Sequence, residues 1–176
     1  MELLEVINSR QSCRKFNGEK PPLELLNEIA ELSLLCPSAC NSQPWKIYLA
    51  YTDDIVKGVA KSLQDFGMNK FASKAGAFFV VADQTAKLAP GATIRFNTNH
   101  FVKYDVGELI AYLTLICKDK GLETCILGWV NAKTLANYVP FEKGEESNIV
   151  IAVGYSDDTT IRKKSRKTAS EKVKVL

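Results

Sequence analysis

The sequence predicts an α+β fold: short apolar strands forming a sheet, flanked by helices. Two observations carry this. Four apolar runs of strand length stand among longer helical stretches, and one of them, Ala77-Phe78-Phe79-Val80-Val81-Ala82, is continuously apolar. That is the pattern of a central strand covered on both faces. The second observation is the helix predicted from Tyr104 to Lys120. Val106, Leu109, Ile110, Leu113, Ile116 and Cys117 make one apolar face, and Ala111, Tyr112 and Leu115 add apolar groups on the other. A helix apolar nearly all round is buried. In a chain of 176 residues few elements are left to cover both its faces, so a second subunit is expected to cover part of it.

The remaining elements follow in chain order. Residues 2–8 read as a short helix with Leu3, Leu4 and Ile7 on one side, and a non-periodic segment, Ser9 to Phe16, comes next. Arg10 and Arg14 flank the hydroxyl of Ser12 there; arginine forks bind phosphate or carbonyl oxygens with two donors at once. Pro21-Pro22 opens a helix of about four turns to Cys36, with Leu25, Ile29, Leu32 and Cys36 as its stripe. The loop Pro37-Ser38-Ala39-Cys40-Asn41-Ser42-Gln43-Pro44-Trp45 sets several hydrogen-bonding side chains between two regular elements. Such loops tend to carry binding groups, although the same residues suit a plain helix stop and turn. A strand from Lys46 to Thr52 follows. Asp53 then N-caps a helix to about Phe66, with Ile55, Val59, Lys61 to Leu63 and Phe66 giving a mixed face. Asn69 lies in the next connection, and Thr85 to Phe101 reads as loop or short helix. Gly121 stops the long helix. A helix from Ala132 to Tyr138 and a strand from Ile149 to Tyr155 complete the regular elements.

Composition points to one domain over residues 1–176, with 46% hydrophobic and 24% charged residues. No apolar run approaches the roughly 20 residues of a membrane span. The first five residues carry acid where an export signal would carry base, so a cytoplasmic location is expected. Five cysteines without a Cys-x-x-Cys pair, and the single His100, build no zinc or iron–sulfur site. Reduced, buried thiols are expected. A net charge of +3 does not by itself imply nucleic acid. Its distribution is more informative: Arg162 to Lys174 holds seven basic residues and one acid, and Arg10, Arg14 and Lys15 form a second cluster near the other end. Together they suit one doubly charged anion if the ends meet; apart, they are a solvated tail and a helix end.

Five stretches, in order, resemble the FMN-dependent nitroreductase family. Cys36-Pro37-Ser38-x-x-Asn41-x-Gln43-Pro44-Trp45 is similar to its Ala-Pro-Ser-x-x-Asn-x-Gln-Pro-Trp motif, with Cys36 in place of alanine. Arg10-x-Ser12-x-Arg14-x-Phe16 resembles its N-terminal signature. Asp105-x-Gly107 and Gly121-Leu122-Glu123-Thr124-Cys125-x-x-Gly128-Trp129 resemble two more, with Glu123 in place of glycine and Leu127 where longer members carry glutamate. Gly154-Tyr155 followed by Lys164-x-Arg166 resembles the last. The resemblance implies a mainly antiparallel sheet and a homodimer with FMN at its interface. It implies that Arg10 and Ser12 bind at the phosphate together with Lys164 and Arg166, Arg162 being the register alternative, and that Gln11 between them is also a cofactor-binding residue. It implies that Arg14 meets the N1/O2 edge of the flavin and Asn69 its pyrimidine, and that Leu127 and Gly128 present backbone N–H groups near N5. Pro37, Ser38, Ala39 and Asn41 would contact the FMN held mainly by the other subunit.

The chemistry implied is flavin-based, with no catalytic acid–base side chain and no metal. NADH or NADPH would reduce the flavin, and a nitroaromatic or quinone-type acceptor would then take the same place in a ping-pong cycle. No Gly-x-Gly-x-x-Gly provides a separate nicotinamide site. The alternatives are a relative with other flavin chemistry, such as dehalogenation or flavin fragmentation, or a non-catalytic flavin-binding or basic-tailed interaction module. Neither nucleic acid nor membrane is an expected partner.

Overall fold

A computed structural model describes residues 2–176. In chain order the elements are α1 (Leu3–Ser9), α2 (Leu23–Ser33), β1 (Trp45–Ala50), α3 (Asp53–Ser62), β2 (Ala77–Asp83), α4 (Pro90–Thr93), α5 (Val102–Asp119), β3 (Glu123–Leu127), α6 (Ala132–Leu135), β4 (Glu146–Gly154) and α7 (Ala169–Lys172). The four strands form an antiparallel sheet in the order β1-β2-β4-β3. The expected α+β class and antiparallel sheet are what the chain adopts.

Successive strand residues face opposite sides of a sheet, and here both sides are apolar. Phe79, Val81, Ile151 and Val153 face one layer, where they join Leu26 and Ile29 of α2 and Leu109, Leu113 and Cys117 of α5. Phe78, Val80, Val150 and Ala152 face the other, with Val59 and Leu63 from α3 and its end and Leu135 of α6. Covered on both faces, β2 keeps no polar side before Asp83, which explains its unbroken apolar run. No helix among the described residues is long and apolar enough to cross a membrane.

Helix ends depart from the sequence reading where apolar residues suggested more helix than packing uses. α2 stops at Ser33, and its inward row is Leu26, Ile29 and Ser33 rather than the expected Leu25, Ile29, Leu32 and Cys36. Leu32 is 37% exposed. Ser33 is tolerated inside because its hydroxyl donates to the Ile29 carbonyl at 2.7 Å. α3 is capped by Thr52 rather than Asp53 and ends at Ser62, four residues short of Phe66. Phe66 has left-handed backbone (φ 56°) and is 93% exposed, so it belongs to no helix face. α6 ends at Leu135 rather than Tyr138. The long helix starts two residues earlier than read and ends at Asp119, with one face buried and Ala111 and Tyr112 exposed on the other. Gly121 follows it at φ 81°, and the N–H of Leu122 returns to the Cys117 carbonyl at 2.8 Å, closing a Schellman turn.

The N-terminal segment lies along the free edge of β3. Ser12 bridges Thr124 in parallel, and the Cys13 N–H donates to the Thr124 carbonyl at 2.8 Å. Further on, a Cβ on Gly154 would sit 2.9 Å from the Gly76 nitrogen. One on Gly76 would sit 2.4 Å from the Glu19 carbonyl oxygen. Glycine at both places lets the segment after Phe16 cross close over the strand ends.

Candidate functional site

With Ser12 and Cys13 paired to β3, the neighbouring Arg10 and Arg14 are held at the sheet edge. The chain leaving β4 returns to the same segment. Ser156 Oγ donates to the Lys15 carbonyl at 2.7 Å, and Asn17 Nδ2 donates to Asp157 Oδ1 at 2.9 Å. Lys15 pairs with Asp158 at 2.6 Å. That lysine and the Thr160 hydroxyl and N–H hold the Asp158 carboxyl well below the usual carboxylate range. Gln11 then acts as a short piece of strand. Its Nε2 donates to the Thr160 carbonyl at 2.7 Å, and its Oε1 accepts the Arg162 N–H at 3.1 Å. The Arg162 guanidinium closes the lock on Gln11 Oε1 at 3.2 Å and on the Ser12 carbonyl at 2.5 Å. Two residues later Lys164 Nζ donates to the Arg10 carbonyl at 2.5 Å.

The two ends of the chain thus meet. Arg10, Gln11, Ser12 and Arg14 line one open pocket with Arg162, Lys163, Lys164, Ser165 and Arg166, and none of these is an acid. The crowding has an electrostatic signature. The Lys164 ammonium is pushed below the usual lysine range by partial desolvation and by the charges of Arg166, Arg10 and Arg162. Arg10 Nε is buried with no hydrogen-bond partner among the described residues. A buried donor without an acceptor is costly. A polyvalent anion in this pocket would relieve the repulsion among these charges. Arg166 is not tied to the N-terminal segment as Arg162 and Lys164 are, since its guanidinium bonds to the Ser165 carbonyl beside it.

The loop after α2 is a second constellation, and it does not line that pocket. Its polar groups are spent first on its own shape. Cys40, Asn41 and Gln43 are left-handed, at φ 55°, 51° and 46°. Ser38 Oγ accepts the Gln43 N–H at 2.9 Å, and the Gln43 amide donates to Asn41 Oδ1 at 3.2 Å. Two contacts moor the loop from outside. Ser42 Oγ accepts the Lys87 N–H at 2.6 Å, and the Ala39 N–H donates to Asp105 Oδ1 at 3.1 Å. Asp105 sits in the first turn of α5 and is buried, at 4% exposure. The Asp105-x-Gly107 motif by itself gives Asp105 no task; its signal in the sequence is an acid opening a helix with apolar groups on both faces.

Three further expected residues also stand apart from the cationic pocket. Asn69 is left-handed and half-buried, its amide donating to the Leu63 carbonyl at 3.1 Å. Leu127 is buried at the end of β3, and Gly128 beyond it is exposed. The expectation of uniformly buried thiols needs correction. Cys13, Cys36, Cys117 and Cys125 are buried, but Cys40 is exposed because the left-handed turn carries it outward. Burial pushes the Cys117 thiol up to about 12, so it stays protonated.

The model of the nitroreductase family matches residues 7–155. The chain belongs to the nitroreductase family. The matched span ends before Arg162–Arg166, so the convergence of the tail on Arg10 is a finding of the geometry. An iodotyrosine deiodinase from Thermotoga neapolitana is 24% identical over 167 residues, 89% of each chain. An oxygen-insensitive NADPH nitroreductase from Helicobacter pylori is 38% identical over 58 residues, 32% of this chain and 27% of that one. Among solved structures, a nitroreductase family protein from Streptococcus pneumoniae superposes with a TM-score of 0.85 at 18% identity, covering 99% of this chain and 100% of that one. A putative nitroreductase from Exiguobacterium sibiricum, solved in complex with FMN, gives a TM-score of 0.85 at 18% identity over 100% of this chain and 98% of that one. At those identities the likeness is one of fold.

Proposed function

We propose that this member of the nitroreductase family is a single-domain, cytoplasmic FMN-dependent oxidoreductase. In this reading NADH or NADPH is the donor, a small nitroaromatic or quinone-type compound the acceptor, and the two use one place in turn. The general class, a flavin oxidoreductase, follows from the family. The observation that carries the finer reading is the acid-free cationic pocket built from both chain ends, with Arg10 Nε buried and unpartnered in its wall. A phosphate monoester near two negative charges fits it. Bound FMN supplies the two-electron chemistry. Arg10, Ser12, Lys164 and Arg166 hold its phosphate, with Gln11 and Arg162 keeping the tail in place. With FMN bound, Arg14 would stabilise negative charge on the reduced ring, and Asn69 and the N–H groups at Leu127 and Gly128 would hold the ring by hydrogen bonds. No side chain is required to move a proton.

The pocket alone, about 270 Å³, is smaller than the usual range for a ligand of FMN's size. The proposed dimer supplies the rest, with Pro37, Ser38, Ala39 and Asn41 of one subunit on the FMN held mainly by the other. Several surfaces support a second copy. Leu3, Leu4 and Ile7 of α1 and Tyr112 of α5 are exposed. Gly107, in mid-helix, has nothing within 4 Å of where its Cβ would be, among the described residues.

The test is anaerobic. Purified protein should be yellow, bleach with NADH or NADPH, and recolour with an acceptor from a panel of nitroaromatics, quinones and halophenols. Yellow protein that no nicotinamide bleaches would leave a flavin-binding module. Colourless protein that takes up no FMN would leave an interaction role. Reductive dehalogenation is the second reading, favoured by the deiodinase aligned over 89% of the chain. Turnover of halophenols in preference to nitroaromatics would select it.

A further inference from the structure

We propose that Asp105 is the positioning residue of the Pro37–Asn41 loop, and that its carboxyl sets the face this loop presents to the flavin ring. The role of the loop rests on the reading above; the role of Asp105 rests on the geometry of this chain. Asp105 is buried, and its Oδ1 accepts the Ala39 N–H at 3.1 Å. Its Oδ2 is also buried and has no partner among the described residues. An acid with one oxygen unsatisfied is a poor choice for stability alone, since an apolar side chain would fill the same place without that penalty. What the acid secures is one peptide plane. The Asn41 N–H bonds the Ser38 carbonyl at 3.0 Å, and the Ser42 N–H bonds the Ala39 carbonyl at 3.1 Å. Fixing the Ser38–Ala39 peptide therefore fixes the Ser38 carbonyl that closes the first turn, and the second turn starts one peptide further on, from the Ala39 carbonyl. These turns run through left-handed Cys40 and Asn41, a path that side chains other than glycine resist. Without an outside anchor the turns are free to relax. The other moorings, at Ser42 and at Pro44, whose carbonyl accepts the Gln84 N–H at 2.9 Å, lie beyond Asn41 and cannot orient Ala39.

The bond can be broken from either side. Asp105→Ala removes the acceptor. Ala39→Pro removes the donor, and Ser38 already has the extended backbone that a residue before proline needs (φ −152°, ψ 156°). Asp105→Asn keeps an acceptor oxygen and serves as the rescue. Amide exchange at Ala39 in the FMN-free protein should quicken roughly tenfold or more in Asp105→Ala and stay near wild type in Asp105→Asn. FMN affinity should fall about tenfold in Asp105→Ala and in Ala39→Pro, and no further in the double variant. The affinity for inorganic phosphate, which probes the cationic pocket that neither Asp105 nor the loop lines, should not change. Equal loss of FMN and phosphate affinity would mean general unfolding, and Asp105→Asn as weak as Asp105→Ala would mean the accepted bond is not what matters; either overturns the proposal. If wild-type protein binds no FMN, the proposed function fails. The exchange rate at Ala39 still decides the role of Asp105 in holding the loop.

Discussion

Replacing Arg166 by alanine isolates the claim that the tail reads a phosphate. In the structure Arg166 carries no part of the fold, its guanidinium bonding to the Ser165 carbonyl, while Arg162 and Lys164 also pin the tail to Gln11, Ser12 and Arg10. Arg166→Ala should therefore leave the chain ends docked and remove one charge-assisted contact to the ligand. Such a contact is worth about 1.5 to 3 kcal/mol. Arg166 is exposed, so solvent screening favours the lower end. At 1.4 kcal/mol per decade this weakens FMN binding by about one decade, two at most. Riboflavin has the same ring without the phosphate and should bind with affinity unchanged within about twofold, a shift too small to count on this scale. The assay is fluorescence titration of FMN-free protein with each ligand at fixed ionic strength. Equal weakening of both would refute the argument and return the basic tail to a solvated surface.

Other consequences follow from the same geometry. Arg14→Ala should change FMN affinity less than Arg166→Ala does, yet lower the flavin reduction potential and slow bleaching by nicotinamide, measured by spectroelectrochemistry and stopped flow. Lys164 has its pKa depressed among cations, and a bound anion raises it again. FMN affinity should thus be greatest below the depressed value and fall as pH rises through the alkaline range towards and past the ordinary 10.5, seen by titration across pH. Gly107→Ala should raise stability by up to about 1 kcal/mol if that face of α5 is free in solution. A loss of stability, with monomer appearing in sedimentation, would mark the face as subunit contact. Gly154→Ala should destabilise by about 1 to 3 kcal/mol in urea unfolding, because the new methyl meets the Gly76 backbone.

Local patterns carried much of this protein in the sequence alone. The run from Ala77 to Ala82, the length and apolar girth of the helix ending at Gly121, and the order of five short motifs were enough for the fold class and the family. Each depends on residues close together in the chain, where period, turn chemistry and spacing are legible. Two basic clusters were equally visible, and the family resemblance implied that they meet, although period and spacing alone left that open. Their meeting depended on Ser12 pairing with Thr124 and on Gln11 bridging Thr160 and Arg162, contacts across more than a hundred residues that leave no periodic trace. The inward row of α2 was misread for a related reason. Hydrophobicity favoured Leu32 over Ser33, but Ser33 is the one that packing buries, and its hydroxyl finds its partner one turn back. Asp105 shows the limit most clearly. Its place in a motif could be read, yet only the folded chain brings its buried oxygen to the amide of Ala39, because a carboxyl's task is set by the donor that tertiary packing delivers to it.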